Sequence, residues 1–135
     1  MRIGFTCSTF DLFHAGHIMM LKEAKEQCDR LIVGLQTDPT LDRASKNKPV
    51  QGVFERFVQL HACKFVDEVI VYGTEKELRD ILLSYPIDVR ILGEEYKDNE
   101  FTGYDIPMEF YFNKRKHSFS TSELRQRVIE AEKDR

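Results

Sequence analysis

The chain has 135 residues, 41% hydrophobic and 32% charged, a size and balance that suit one globular domain with one core and argue against disorder. A net charge of −3 argues against broad nucleic-acid binding, which needs a basic face, and no apolar run is long enough to span a bilayer. Cys7, Cys28 and Cys63 are odd in number, widely spaced and without a CxxC pair, which speaks against a disulfide framework or a structural zinc site and for buried or half-buried thiols.

Met1 leads straight into Arg2-Ile3-Gly4-Phe5, with no charged-then-apolar leader, so the reading is cytoplasmic. Residues 2–7 read as a short buried strand. Residues 15–28 read as a helix, with Ile18, Leu21, Ala24 and Cys28 at helical spacing and Lys22, Glu23, Lys25 and Glu26 between them. Residues 30–37 carry the run Leu31-Ile32-Val33-Gly34-Leu35 of a central parallel strand. Residues 38–49, polar and holding Pro39, Pro49, Lys46 and Lys48, are a loop. A helix over 54–62, a strand over 68–72 and a helix over 76–85 stopped by Pro86 follow. Residues 89–92 read as a fourth strand ending at Gly93, 94–105 as a loop, 109–112 as a short edge strand, and 120–132 as a final helix capped by Ser120, Thr121 or Ser122. Strands alternating with helices define an α/β fold, a Rossmann-like doubly wound parallel sheet in a single domain over 1–135. Ligands of such a sheet bind beyond the carboxyl ends of the strands, where strand order reverses. The loops at 8–16, 38–49 and 93–105 open on that edge.

The first of these loops reads Ser8-Thr9-Phe10-Asp11-Leu12-Phe13-His14-Ala15-Gly16-His17. Two histidines three apart are weak evidence alone, and no third metal ligand is signposted. The context is stronger: a strand before, a helix after, and Gly16 where backbone must be approached closely. A helix N-terminus offers free N–H groups and the positive end of its dipole to a phosphate. Basic residues gather at Lys46 and Lys48 and in Lys114-Arg115-Lys116-His117, both in segments without helical periodicity. Neither a Ser-His pair nor a carboxylate base suggests itself. Phosphoryl-type transfer needs neither, because a phosphate monoester, with a second pKa of about 6, is already ionised at neutral pH. It needs charge stabilisation and in-line positioning, which His14, His17, Lys46, Arg115, Ser120 and Thr121 are suited to supply.

Thr9-Phe10-Asp11 followed by His14-Ala15-Gly16-His17, with Ser118-Phe119-Ser120-Thr121-Ser122-Glu123-Leu124 near the end, resembles the two motifs of the cytidylyltransferase-like family within the HxGH nucleotidyltransferases. Val66-Asp67-Glu68-Val69 and Leu92-Gly93-Glu94-Glu95-Tyr96 resemble its bacterial members, and the likeness runs from about Ile3 to Arg127. In size the chain is similar to the family's glycerol-3-phosphate cytidylyltransferases, which make CDP-glycerol. The resemblance implies a CTP-dependent enzyme transferring CMP to a small phosphorylated metabolite, with Mg²⁺ carried by the triphosphate rather than by a protein cage, and a homodimer. It implies that His14 and His17 contact triphosphate oxygens, that Thr9, Phe10 and Asp11 shape the nucleotide pocket, and that Glu95 and Tyr96 line base and ribose. Lys46, helped by Lys48, would close over phosphates. Arg56 and Lys64 would lie near the acceptor. Arg115 would bind phosphate, and Ser120, Thr121 and Ser122 would hold the β- and γ-phosphates. Departures from the glycerol-phosphate pattern fall at Ser8, Lys64, Tyr96 and the long stretch 97–105. Two other functions stay open: an adenylyltransferase of the sugar-phosphate (heptose) type, which shares a Gly-x-x-Tyr segment, and a non-catalytic nucleotide-binding regulator.

Overall fold

The computed structural model describes residues 1–114 and 117–135. Strand β1 (Ile3–Ser8) leads to helix α1 (Ala15–Glu26), β2 (Arg30–Gln36) to α2 (Val53–His61), and β3 (Glu68–Tyr72) to α3 (Glu75–Ser84). Strand β4 (Val89–Gly93) and β5 (Glu109–Asn113) follow, then α4 (Thr121–Lys133). All pairings are parallel, in the order β3-β2-β1-β4-β5. The chain walks outward from β1 to β3, then α3 carries it back past β1 to β4. Right-handed crossovers place helices of outward and returning connections on opposite faces, and the two cores show this. Leu21 and Ala24 of α1 and Leu60 of α2 pack with Leu31, Val33, Leu35, Val89 and Ile91. Leu78 and Leu82 of α3 pack with Phe5, Ile32 and Tyr72. The chain is therefore a single α/β domain with a doubly wound parallel sheet.

The strand-order reversal falls between β1 and β4. Their ladder holds two pairs, Gly4↔Val89 and Phe5↔Arg90, whereas β1 and β2 pair along six positions. Beyond Phe5 and Arg90 the two strands part, and the crevice of the fold opens there.

The elements sit where the hydrophobic period puts them, and the differences are at ends, where caps decide. Helix α1 stops at Glu26 because Gln27 takes the C-cap, and the Cys28 thiol donates back to the Ala24 carbonyl. Helix α3 starts at Glu75 because Thr74 and Glu77 form a reciprocal capping box. Short 3₁₀ turns at Pro39–Leu41 and Glu94–Tyr96 occupy stretches read as loop. The long connection 94–108 has no α-helix. It is filled by Phe101, whose ring meets Tyr96, Tyr104, Phe110 and Phe112 edge-on. Among the described residues no helix is long and apolar enough to cross a membrane.

Candidate active site

The turn after β1 is held in a costly backbone. Phe10 and Leu12 have φ of 52° and 53°, a region that costs a residue with a side chain about 1–3 kcal/mol. Two anchors hold it. The Phe10 ring is sunk in the α1-side core. The Asp11 carboxylate accepts from the Val50 and Gln51 amides at 2.9 and 3.0 Å and pairs with Arg125 at 2.8 Å. Burial pushes the Asp11 carboxyl up, but the two amides and Arg125 outweigh it and hold it below the ordinary carboxylate value.

This turn delivers His14 as the N-cap of α1. Its Nδ1 accepts from the Gly16 amide at 2.9 Å, and the His17 Nδ1 accepts from the His14 amide at 3.2 Å. A ring nitrogen that accepts carries no proton, so in each neutral imidazole the proton sits on Nε2, which becomes a donor. The spacing of the motif thus fixes both tautomers through the main chain. The rings lie 4.1 Å apart, and His17 is stacked on Phe13 with centroids at 5.5 Å. Burial first, then the neighbouring His14, lowers the His17 pKa to about 4, so it stays neutral at physiological pH. Gly16 is required between them: a Cβ there would lie 2.7 Å from His14 Cε1 and 3.2 Å from His117 Cε1.

Helix α4 closes this side of the crevice. Ser120 caps it, accepting from the Glu123 amide at 3.1 Å. The Thr121 hydroxyl lies 3.1 Å from His14 Nε2. One turn on, Arg125 reaches Asp11. Two helix N-termini, of α1 and α4, therefore face one cleft of about 980 Å³, an arrangement suited to a polyanion.

The expected site residues divide. Thr9, Asp11, His14, His17, Lys46, Glu95, Tyr96, Ser120, Thr121 and Ser122 all line this cleft. Phe10 does not; buried 5.5 Å from the His17 ring, it backs the histidine rather than facing a nucleotide. Lys48 is exposed and lies outside the cleft wall, on the side of Asp38. Arg56, expected at the acceptor, is instead a buried clamp. Only 1% exposed, it donates to the carbonyls of Gln51, Thr9, Gln36 and Thr37 at 3.1, 2.9, 2.6 and 2.6 Å, which ties the turns after β1 and β2 to the start of α2. Lys64, also expected at the acceptor, lies between the end of α2 and the start of β3, at the opposite edge of the sheet, with its ammonium over the Phe65 ring. Arg115 lies outside the described residues. Sequence reasoning missed Arg125 and His117. Arg125 had a signal in its place four residues after Thr121, on the same helix face; His117 ended the basic run already singled out.

Asp11 is spoken for on both oxygens, and among the described residues no cluster of three or more His, Cys, Asp or Glu is placed to hold a metal ion.

A strand, a turn whose two histidines cap the next helix, and a last helix facing them make a Rossmann-like site built around a helix-capping histidine pair. The chain belongs to the cytidylyltransferase-like family, whose model matches residues 5–127. It is 37% identical over 128 residues to the bifunctional protein HldE of Campylobacter jejuni, covering 94% of this chain and 28% of that protein. It is 32% identical over 113 residues to the ethanolamine-phosphate cytidylyltransferase of Arabidopsis thaliana, covering 79% of this chain and 27% of that one. The chain thus spans little more than a quarter of the length of these curated relatives. The lipopolysaccharide core biosynthesis protein of Thermoplasma volcanium shares the fold, with a TM-score of 0.61 at 22% identity over 97% of this chain and 88% of that one.

Proposed function

We propose that the chain transfers CMP from CTP to the phosphate of a small phosphorylated metabolite and releases pyrophosphate; the resemblance puts glycerol 3-phosphate first among acceptors. The observation that carries this is the pair of Nε2 donors on His14 and His17, fixed by main-chain capping between two helix N-termini. An acceptor phosphate oxygen attacks the α-phosphorus, a new P–O bond forms, and the bond to the β-bridging oxygen breaks, its electron pair leaving with pyrophosphate. The nucleophile is already ionised, so positioning and charge stabilisation suffice. His14 and His17 would donate to the transferring phosphoryl group, the Thr121 hydroxyl and the amides of α4 would hold the leaving pyrophosphate, and Lys46 would cover the phosphates from its loop. Magnesium would arrive with the triphosphate and neutralise its charge. The match to an enzyme named for cytidylyl transfer onto ethanolamine phosphate supports the donor and the kind of acceptor.

A second reading has ATP as donor and a sugar phosphate as acceptor. The Gly93-Glu94-Glu95-Tyr96 segment, of the Gly-x-x-Tyr kind that the sugar-phosphate type carries, favours it. Pyrophosphate release is measured with CTP and with ATP against glycerol 3-phosphate, ethanolamine phosphate and hexose 1-phosphates. Turnover with CTP is expected; turnover with ATP alone sinks the first reading and supports the second. His14→Ala is expected to lower turnover about 10²–10³-fold, the usual cost of one transition-state donor. If it leaves both turnover and nucleotide affinity unchanged, the site itself is misassigned.

A further inference from the structure

The cleft continues past the histidines to the other face of the sheet. Side chains alternate along β1: Phe5 belongs to the α3-side core, and Cys7 packs against it. Arg90 stands opposite Phe5 in the β1–β4 register and shares that face. Cys7, Tyr72, Glu75, Arg90, Tyr96 and Phe101 all contribute to the cleft wall here, so the α3 side forms a second lobe across the β1–β4 seam from His14 and His17.

Arg90 is an unusual occupant. It is 4% exposed, on an interior strand. One Nη donates to the Thr102 carbonyl, and the guanidinium lies over the Phe101 ring at 5.3 Å. Its Nε has no hydrogen-bond partner, and no carboxylate forms an ion pair with it, among the described residues. Glu75, in the same lobe, is engaged by Arg43 at 3.8 Å and by the Thr102 hydroxyl at 2.9 Å. Burial holds the Cys7 thiol and the Tyr72 hydroxyl protonated. A buried guanidinium left without a counter-charge is costly, and in a cleft wall an anionic ligand group would supply one, in charge-assisted hydrogen bonds.

We infer that the α3-side lobe receives the far end of the acceptor and that Arg90 there recognises a second anionic group, a carboxylate or a second phosphate, in addition to the phosphate that attacks. This rests on the nucleotidyl-transfer reading and moves its first acceptor away from glycerol 3-phosphate. The preferred class is a phosphorylated sugar acid or a bisphosphate, and a neutral polyol phosphate such as glycerol 3-phosphate is the weaker ligand. Gly103 packs behind Arg90: its φ of +87° lets the chain turn against Leu82 and Arg90, where a Cβ would lie 2.6 and 3.0 Å away.

The test is calorimetric titration of the intact protein with matched pairs. Glycerol 3-phosphate is compared with glycerate 3-phosphate, and glucose 1-phosphate with glucuronic acid 1-phosphate and with glucose 1,6-bisphosphate. The carboxylate and phosphate arms separate the two sources of charge. A hydrogen bond to a charged group predicts that in at least one pair the acid binds about 10–150-fold more tightly. That advantage disappears in Arg90→Gln, is partly kept in Arg90→Lys, and survives in Arg79→Gln, which breaks the pair between Arg79 and Asp105 that ties the same connection from outside. Equal binding within every pair overturns the inference. So does an advantage that persists in Arg90→Gln, or one that Arg79→Gln abolishes equally, since that would mark Arg90 as a loop tie alone. These titrations need no turnover. Failure of CTP and ATP to bind would sink the transfer reading and leave the comparison of pairs intact.

Discussion

Replacing Arg56 with methionine keeps most of the side-chain volume and removes four hydrogen bonds to main-chain carbonyls. A hydrogen bond from a charged donor contributes about 1.5–3 kcal/mol, and its loss leaves an acceptor unmet. The bonds do not add. Only the one to Gln36 is fully buried; the others lie nearer solvent, and water can replace them. A buried acceptor left unmet costs about 1–3 kcal/mol, so the full loss at Gln36 with partial losses at the other three puts the cost at about 3–5 kcal/mol, a large share of the roughly 5–15 kcal/mol that hold a domain together. For a chain of this size each kcal/mol moves Tm by about 4 °C, so the melting point should fall by about 12–20 °C. Urea denaturation followed by circular dichroism, at several acceptor concentrations, reads the loss. If Arg56→Met unfolds within about 1 kcal/mol of the parent but binds acceptor poorly, the clamp is wrong and Arg56 belongs to the acceptor after all.

The pH dependence of stability should carry the mark of His17. Its pKa falls from the ordinary value of 6.5 to about 4 on folding, so the unfolded chain binds the proton more readily, and stability drops as pH falls from about 6.5 towards 4. Linkage makes this about 2 kcal/mol between pH 7 and pH 5, and His17→Asn should flatten that part of the curve; an unchanged slope refutes the assignment. A double-mutant cycle on Asp11→Asn and Arg125→Gln should show a coupling of about 1–2 kcal/mol, within the usual range for contacting residues, since the pair is 9% and 32% exposed; additivity would mean that α4 is not anchored there. Gly16→Ala must displace the His14 imidazole and should cut turnover about 100-fold, as small misplacements of reacting groups do. Gly52→Ala meets nothing within 4 Å and should leave turnover alone; equal losses in both would contradict the steric account.

The fold was legible because strands and helices alternate with distinct periods, and because the run from Leu31 to Leu35 can only be a strand covered on both faces. The histidine turn was legible because strand, turn and helix are local in sequence. What escaped was non-local. Nothing near Phe54-Glu55-Arg56 tells that three turns converge on that guanidinium, so an arginine of the interior read as one at the acceptor. Lys64 was legible from chain direction alone: a connection that leaves a helix and enters a parallel strand must open away from the ligand edge. Arg90 lies within the short apolar strand at 89–92, and only the order of strands places it inside the sheet.

The short ladder between β1 and β4 has a consequence for how this protein can be probed. Past Phe5 and Arg90 each strand presents a stretch of main chain to the crevice with no strand paired across it, so the molecule carries a pair of strand edges in its own interior. Whatever enters meets peptide groups as well as side chains. Alanine scanning leaves those peptide groups in place and will understate how much of the recognition is done here. Hydrogen exchange at Thr6–Ser8 and Ile91–Gly93, with and without ligand, measures that share directly.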